Sequence, residues 1–189
     1  RDFWLLTTGF FVCGFQVVFI AVHLPAYLTD RGLPVSVGST VLALIGLVNI
    51  AGTLGAGWLG ARFARPGLLA WIYLARGAAI AAFVYLPMSA MSAYAFGAAM
   101  GLFWLSTVPL TNAVVASLFG VRNLSMLGGL VFVGHQLGSF LGGWLGGAIY
   151  DRTGSYDVAW ALVIGLSLMA ALLNMPVRET PLAERRARL

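Results

Sequence analysis

Apolar residues run through this chain in stretches far longer than a soluble core requires. Between Arg76 and Arg122 there is no Asp, Glu, Lys, Arg or His. A helix needs roughly 20 apolar residues to cross about 30 Å of hydrocarbon, and backbone inside a bilayer must satisfy its own hydrogen bonds, so each crossing has to be helical. The pattern predicts six membrane-spanning helices, at residues 3–28, 35–61, 68–86, 89–118, 124–150 and 156–175.

The arginines predict which way these spans point. When the six spans are threaded alternately through a bilayer, eight arginines fall on one side and two on the other, with Arg76 inside a span. Because basic residues collect on the cytoplasmic side of membrane proteins, both ends of the chain are expected to be cytoplasmic. The arginines on that side are Arg1, Arg62, Arg65, Arg122, Arg178, Arg185, Arg186 and Arg188.

The composition is typical of a membrane protein and argues against other classes of protein. Charged residues make up 9% of the chain and hydrophobic residues 60%, against roughly 25% and 45–50% in a soluble domain. The net charge of +5 comes from arginines at span ends rather than from one solvated patch, which argues against a nucleic-acid partner. The single cysteine, Cys13, leaves no disulfide within the chain and no metal-binding cluster, so neither a metal nor a cofactor is expected.

A segment of the second span recurs in the fifth. Residues 52–60 align without gaps on residues 138–146, and five of the nine positions are identical. Since three spans form one unit, the second copy enters the bilayer from the opposite side, as in the inverted repeats of secondary transporters. The predicted fold is therefore an all-α membrane bundle of two inverted three-helix repeats, over residues 1–87 and 88–176, followed by a basic cytoplasmic tail at 177–189.

The loop after the second span resembles a known transporter motif. Residues 57–65 are similar to a degenerate copy of the Gly-x-Leu-Ala-Asp-Arg-x-Gly-Arg motif of the major facilitator superfamily, retaining Gly57, Arg62 and Arg65 but carrying Ala61 in place of the aspartate. Six spans in two triplets resemble the C-terminal half of such a transporter. The resemblance implies a second six-helix half, with the first, second, fourth and fifth spans of each half lining a cavity.

Two further segments resemble one branch of that superfamily. Residues 23–28 and 147–156 are most similar to bacterial members near the monocarboxylate and oxalate/formate exchangers. All eleven basic residues are arginine, which agrees with a GC-rich bacterial genome, and the expected location is a bacterial inner membrane. The chain starts at Arg1 without a Met, so we expect it to be a piece of a longer polypeptide.

Polar side chains within the spans are candidate site residues, because each costs a few kcal/mol in hydrocarbon unless it is paired or wet. Gln16 and His23 share one face of the first helix, which Pro25 interrupts near its outer end. We expect Gln16 to face a wet cavity. His23 has two open interpretations, a cavity residue or a structural histidine near the outer interface.

The remaining candidates lie on the second, fourth and fifth spans. Asn112 is favoured over the nearby threonines, since its amide both donates and accepts while hydroxyls in helices bond their own backbone. His135 and Gln136 lie close to the middle of the fifth span, and the repeat matches His135 with Asn49 of the second. Asn49, Asn112, His135 and Gln136 therefore predict a central site.

Arg76 is the one formal charge well inside a predicted span, and no Asp or Glu is embedded in a span to neutralise it. It must pair with carbonyl oxygens, with an anionic substrate, or with a carboxylate of another half. The third helix lies outside the cavity in the resembled family, which favours a structural role. An uncompensated cation still raises the expectation of an anionic substrate.

Together these features predict half of a secondary transporter, not an enzyme, that moves a small organic solute, in particular a carboxylate anion, by alternating access. Its partners would be the bilayer, the small-molecule substrate, and either a preceding six-helix half or a second copy of this chain. A carrier for drugs or hydrophobic compounds is the main alternative, and a channel a weaker one. The coupling ion stays open, because only His23 and His135 could titrate near neutrality inside the spans.

Overall fold

The chain folds into helices throughout the part that the computed structural model describes, residues 1–180. No β-strand occurs among these residues, and six apolar segments are long enough to cross a membrane, which confirms the predicted all-α membrane fold. A short 3-10 helix, Val121–Asn123, precedes α6. The α-helices are Asp2–Asp30 (α1), Val35–Gly60 (α2), Arg65–Tyr85 (α3), Ala90–Phe103 (α4), Thr107–Phe119 (α5), Leu124–Thr153 (α6) and Asp157–Asn174 (α7).

The fourth span is two helices, not the single helix expected over 89–118. The chain leaves helical conformation at residues 104–106, which we call the interrupted turn, and α5 begins at Thr107. Pro109 supplies the reason, since it has no N–H to bond the carbonyl of Leu105 and its ring crowds that carbonyl. The interruption therefore falls one turn before the proline. By contrast, α1 continues through Pro25 to Asp30.

Helix packing follows the symmetry that the repeat implies. The closest pairs are α1 with α6, α2 with α4, and α3 with α7. The repeat relates the first span to the fourth, the second to the fifth and the third to the sixth. Under this exchange the pair of α1 with α6 becomes the pair of α4 with α2, and the pair of α3 with α7 is unchanged. This pairing is the one that inverted repeats would produce, while the boundary between residues 87 and 88 stays a prediction.

Glycines mark the closest crossings in both equivalent pairs. A Cβ added to Gly138 of α6 would collide with the carbonyl oxygen of Phe11 on α1. Its counterpart in the aligned segment, Gly52 of α2, meets the carbonyl of Leu102 on α4 in the same way. Small residues let membrane helices approach until their backbones touch. The repeat seen in the sequence is thus a repeated helix crossing.

The bundle leaves α2 and α6 as its least covered helices. Large apolar side chains stand exposed along both, as expected of surfaces that meet lipid or further helices. On α2 they are Val35, Leu47, Ile50, Leu54 and Trp58, and on α6 they are Met126, Leu130, Phe132, Val133, Leu137, Phe140 and Trp144.

Candidate functional site

Arg76 is fully buried, and each of its N–H groups has a partner. Its Nε donates to the carbonyl oxygen of Phe103 at 3.0 Å, and its Nη2 donates to the carbonyls of Phe103 and Trp104. Its Nη1 donates to Oε1 of Gln16 at 3.3 Å and lies 3.4 Å from Sγ of Cys13. These contacts account for all five donors of a guanidinium. Of the three partners left open by the sequence, carbonyl oxygens are the ones observed.

The interrupted turn leaves carbonyl groups without backbone donors, and Arg76 supplies donors to them. Where α4 ends at Phe103, its last carbonyls have no partner within the helix. In hydrocarbon no water replaces the missing donors, and each unsatisfied backbone group costs several kcal/mol. The negative end of the α4 dipole also favours a cation at this place. Arg76 therefore acts as a cap supplied by another helix.

Asn49 holds the same turn from the opposite side. Its Oδ1 accepts the backbone N–H of Leu105 at 3.0 Å and the hydroxyl of Thr53 at 3.1 Å. The side chain is half-buried at an open hollow of about 350 Å³, which residues of α2, the interrupted turn and α5 line. The lining residues are Asn49, Ile50, Thr53, Leu54, Leu105 and Val108.

His135 forms a second polar group on α6. Its Nδ1 lies 3.4 Å from Oε1 of the exposed Gln136 and 3.4 Å from Oγ of Ser139. The ring stacks on Phe132 at 5.4 Å and packs against Phe10 of α1 at 4.8 Å. Two aromatic rings thus fix the imidazole while its polar neighbours stay partly open.

The polar groups on α2 and α6 are built alike. In each helix a hydroxyl four residues along bonds the candidate side chain: Thr53 bonds Asn49, and Ser139 lies against His135. In the alignment of the repeat segments, Thr53 corresponds to Ser139. Sequence reasoning missed these two hydroxyls, although the alignment that matched Asn49 with His135 contained the signal for both.

Asn112 lies on α5, which contacts both α2 and α6. Its side chain is exposed and turns towards α6, where a Cβ on Gly128 would lie 3.4 Å from its Oδ1. Within residues 1–180 no hydrogen bond joins Asn49, Asn112 and His135 to one another. The structure therefore brings the three onto neighbouring helices without enclosing them in one pocket.

Gln16 does not face an open cavity, contrary to expectation. The side chain is fully buried, and its Nε2 donates to Oγ of Ser167 at 2.5 Å and to the carbonyl of Val163 at 3.3 Å. Its Oε1 accepts from Arg76. The amide is drawn inwards because the guanidinium and a hydroxyl of α7 satisfy both of its ends inside the bundle. Gln16 thus connects α1 with α3 and α7.

His23 lies in a structural environment at the outer end of α1. Its Nε2 lies 2.9 Å from the carbonyl oxygen of Gly143, and Nδ1 lies 3.4 Å from the hydroxyl of Tyr156. A carbonyl only accepts, so Nε2 carries a proton and donates to Gly143. These contacts favour the second of the two interpretations for His23.

Comparison with known proteins identifies the family to which this helix arrangement belongs. Residues 5–188 match the Major Facilitator Superfamily. The chain belongs to this superfamily. It is thus a multi-pass membrane protein of a transporter family rather than an enzyme.

Two relatives in the superfamily are longer than this chain. The chain is 28% identical to an uncharacterized MFS-type transporter, YcxA, of Bacillus subtilis (strain 168), over 90% of this chain and 43% of the relative. It is 27% identical to human monocarboxylate transporter 12, over 87% of this chain and 34% of the relative. The chain therefore spans less than half the length of either relative.

The loop motif of this superfamily member connects the second and third spans to the end of the sixth. Gly57 is exposed, and the guanidinium of Arg62 lies 3.8 Å above the ring of Trp58. Arg65 donates to the carbonyl of Gly60 at 3.0 Å, and its Nη1 lies 3.4 Å from Oε1 of Glu179. Arg65 of the loop motif is thus ion-paired with the start of the predicted 177–189 tail. The rest of that tail, from residue 181, lies outside the described residues.

Proposed function

We propose that the chain is one half of a secondary carrier that moves a small organic carboxylate anion by alternating access. The observation that carries the proposal is the pair of equivalent polar groups on α2 and α6, which flank α5 and its exposed Asn112. Polar groups inside a membrane bundle mark substrate pathways by default. In this arrangement the amide groups of Asn49, Asn112 and Gln136 would donate hydrogen bonds to a carboxylate.

Electrostatics support an anion over a cation. No carboxylate lies within 4.0 Å of Arg76 among the described residues. A net positive charge in a low-dielectric interior attracts anions. Carriers of hydrophobic cations would favour acidic cavity residues, whereas the acidic residues within 1–180 lie at helix ends or beyond them. They are Asp2, Asp30, Asp151, Asp157 and Glu179.

The names of relatives support the same substrate class. Monocarboxylate transporters from human and rat match most of this chain at 27% and 26% identity. We propose a monocarboxylate-like solute on this basis, without choosing the acid. For coupling, His135 would carry the proton if a proton is carried within this half. A carboxylate in the other half, or exchange without protons, are the remaining options.

We further propose that the carrier is completed by a second six-helix half, in the same polypeptide or as a second copy of this chain. The length of the relatives supports the first arrangement. The arginine distribution supports cytoplasmic positions for both ends, and the all-arginine composition supports a bacterial inner membrane.

Counterflow in proteoliposomes tests the proposal. The full-length protein would be reconstituted, loaded with unlabelled acid, and supplied with labelled small monocarboxylates or with a labelled lipophilic cation. We expect uptake of at least one acid, with KM raised about tenfold or more by Asn112→Ala, since a hydrogen bond to a charged group contributes about 1.5–3 kcal/mol. Asn123→Ala, at an exposed asparagine that bonds the carbonyl of Phe119, is the matched control. Uptake of the cation alone would refute the anion proposal.

A further inference from the structure

The interrupted turn, residues 104–106, separates α4 from α5. Two of its backbone groups are bonded within the fourth span, where the N–H of Trp104 donates to Gly101 and the carbonyl of Leu105 accepts from Val108. Other backbone groups at the turn are bonded by side chains of two other helices. Arg76 of α3 donates to the carbonyls of Phe103 and Trp104, and Oδ1 of Asn49 on α2 accepts the N–H of Leu105. Contacts from α2 and α3 therefore supply bonds that the turn between α4 and α5 lacks within its own span.

Arg76 reaches this turn from outside the candidate site. It lies on α3, which packs on α7, whereas the candidate side chains lie on α2, α5 and α6. Its Nη1 lies 3.4 Å from Sγ of Cys13, and that sulfur lies 3.1 Å from Oγ1 of Thr107, the first residue of α5. Arg76 thus contacts the end of α4 directly and the start of α5 through Cys13.

We propose that Arg76 is a positioning residue, which holds the interrupted turn from α3 and so sets the place of α5 and its Asn112 in the candidate site. The inference rests on the proposed function of Asn112 and adds what keeps that side chain in place. Arg76 does not touch the solute. Without its donors, the carbonyls of Phe103 and Trp104 would regain partners only by rewinding of the turn or by entry of water, and either change moves α5.

Cys13 provides a direct reporter of this contact. It is the single cysteine of the chain, fully buried, and in contact with both Arg76 and Thr107. The full-length protein in proteoliposomes would be treated with N-ethylmaleimide, and alkylation of the Cys13 peptide would be followed by mass spectrometry. We expect slow alkylation in the wild type and a rate about tenfold higher or more in Arg76→Gln, because alkylation requires local opening.

Two variants calibrate the measurement. Arg76→Lys keeps the charge and some of the donors, so its alkylation rate should lie between those of the wild type and Arg76→Gln. Arg31→Gln removes an exposed arginine that pairs with Asp157 at the outer surface, and should leave the rate unchanged. Should Arg76→Gln fail to reach the membrane, Asn49→Ala opens the turn from the other side and should also accelerate alkylation.

Transport kinetics separate positioning from direct binding of the solute. Faster alkylation of Cys13 together with a raised KM in Arg76→Gln, partly restored in Arg76→Lys, supports the proposal. A raised KM with Cys13 still protected would make Arg76 a ligand of the solute and overturn it. Slow alkylation of Cys13 in Arg76→Gln also overturns the proposal. If Arg76→Gln does not reach the membrane, slow alkylation of Cys13 in both Asn49→Ala and Arg76→Lys overturns it. If the wild type moves no carboxylate, the proposed function fails, while the alkylation rates still decide whether Arg76 holds α5.

Discussion

Arg76 on α3 donates a hydrogen bond of 3.0 Å from Nε to the carbonyl oxygen of Phe103, the last residue of α4. This bond stands where a helix would have placed a backbone N–H. A guanidinium serves well here, since its planar fork reaches neighbouring carbonyls together and its charge is always present. The interruption of the fourth span is thus stable inside a membrane because another helix supplies the missing donors.

Loss of Arg76 should therefore weaken the fold. In Arg76→Gln two carbonyls lose their donors, and each buried unsatisfied group costs about 1–3 kcal/mol. We expect a clear fall in the midpoint of thermal unfolding in detergent. Arg31→Gln, which breaks an exposed ion pair of 3.4 Å and the contact of the guanidinium with the ring of Tyr27, should change stability by less than about 1 kcal/mol. Equal losses in the two variants would contradict this role of Arg76.

The helix crossing at Gly138 predicts a position-dependent effect of alanine. Gly138→Ala would drive a Cβ into the carbonyl of Phe11, and overpacking of this kind costs about 1–3 kcal/mol. Gly129 lies in the same helix with no other atom within 4 Å of an added Cβ, so Gly129→Ala should be neutral or stabilising by up to about 1 kcal/mol. Thermal unfolding of both variants tests the contact, and similar midpoints would argue against it.

The equivalent hydroxyls of Thr53 and Ser139 predict matched effects on solute binding. Thr53→Val and Ser139→Ala each remove one hydrogen bond to a candidate side chain, worth about 1 kcal/mol, so each should raise KM about fivefold. Thr40→Val, on the same helix as Thr53, removes a hydroxyl that bonds only the carbonyl of Ser36 and should leave KM unchanged. Unchanged KM in both site variants would remove these groups from the site.

His23 should contribute to stability and not to solute affinity. His23→Phe keeps an aromatic ring between the helices but loses the bonds to Gly143 and Tyr156, at a cost of roughly 1–3 kcal/mol. We expect a lower unfolding midpoint with KM for the transported acid unchanged. A raised KM in a variant of normal stability would instead support the alternative that His23 lines the cavity.

Some of these features could be predicted from the sequence, and others could not. Pro109 is a local cause of the interruption in the fourth span, but the side chains that bond the interrupted turn are those of Arg76 and Asn49, far away in the chain. Gln16 lies on the expected face of α1, yet that face turns towards α3 and α7 because Arg76 and Ser167 lie there. Periodicity identifies a helix face without identifying the helix that will cover it.

The sequence by itself determined the number of spans, their helical state and their organisation as a repeat. Those properties follow from chain length, apolar composition and the demand that backbone in hydrocarbon bond internally. Only the tertiary structure decided that Arg76 serves carbonyls of the fourth span, and that Gln16 is internal while Asn112 stays exposed. Such contacts join residues distant in the chain, so their partners are chosen by helix packing and not by local pattern.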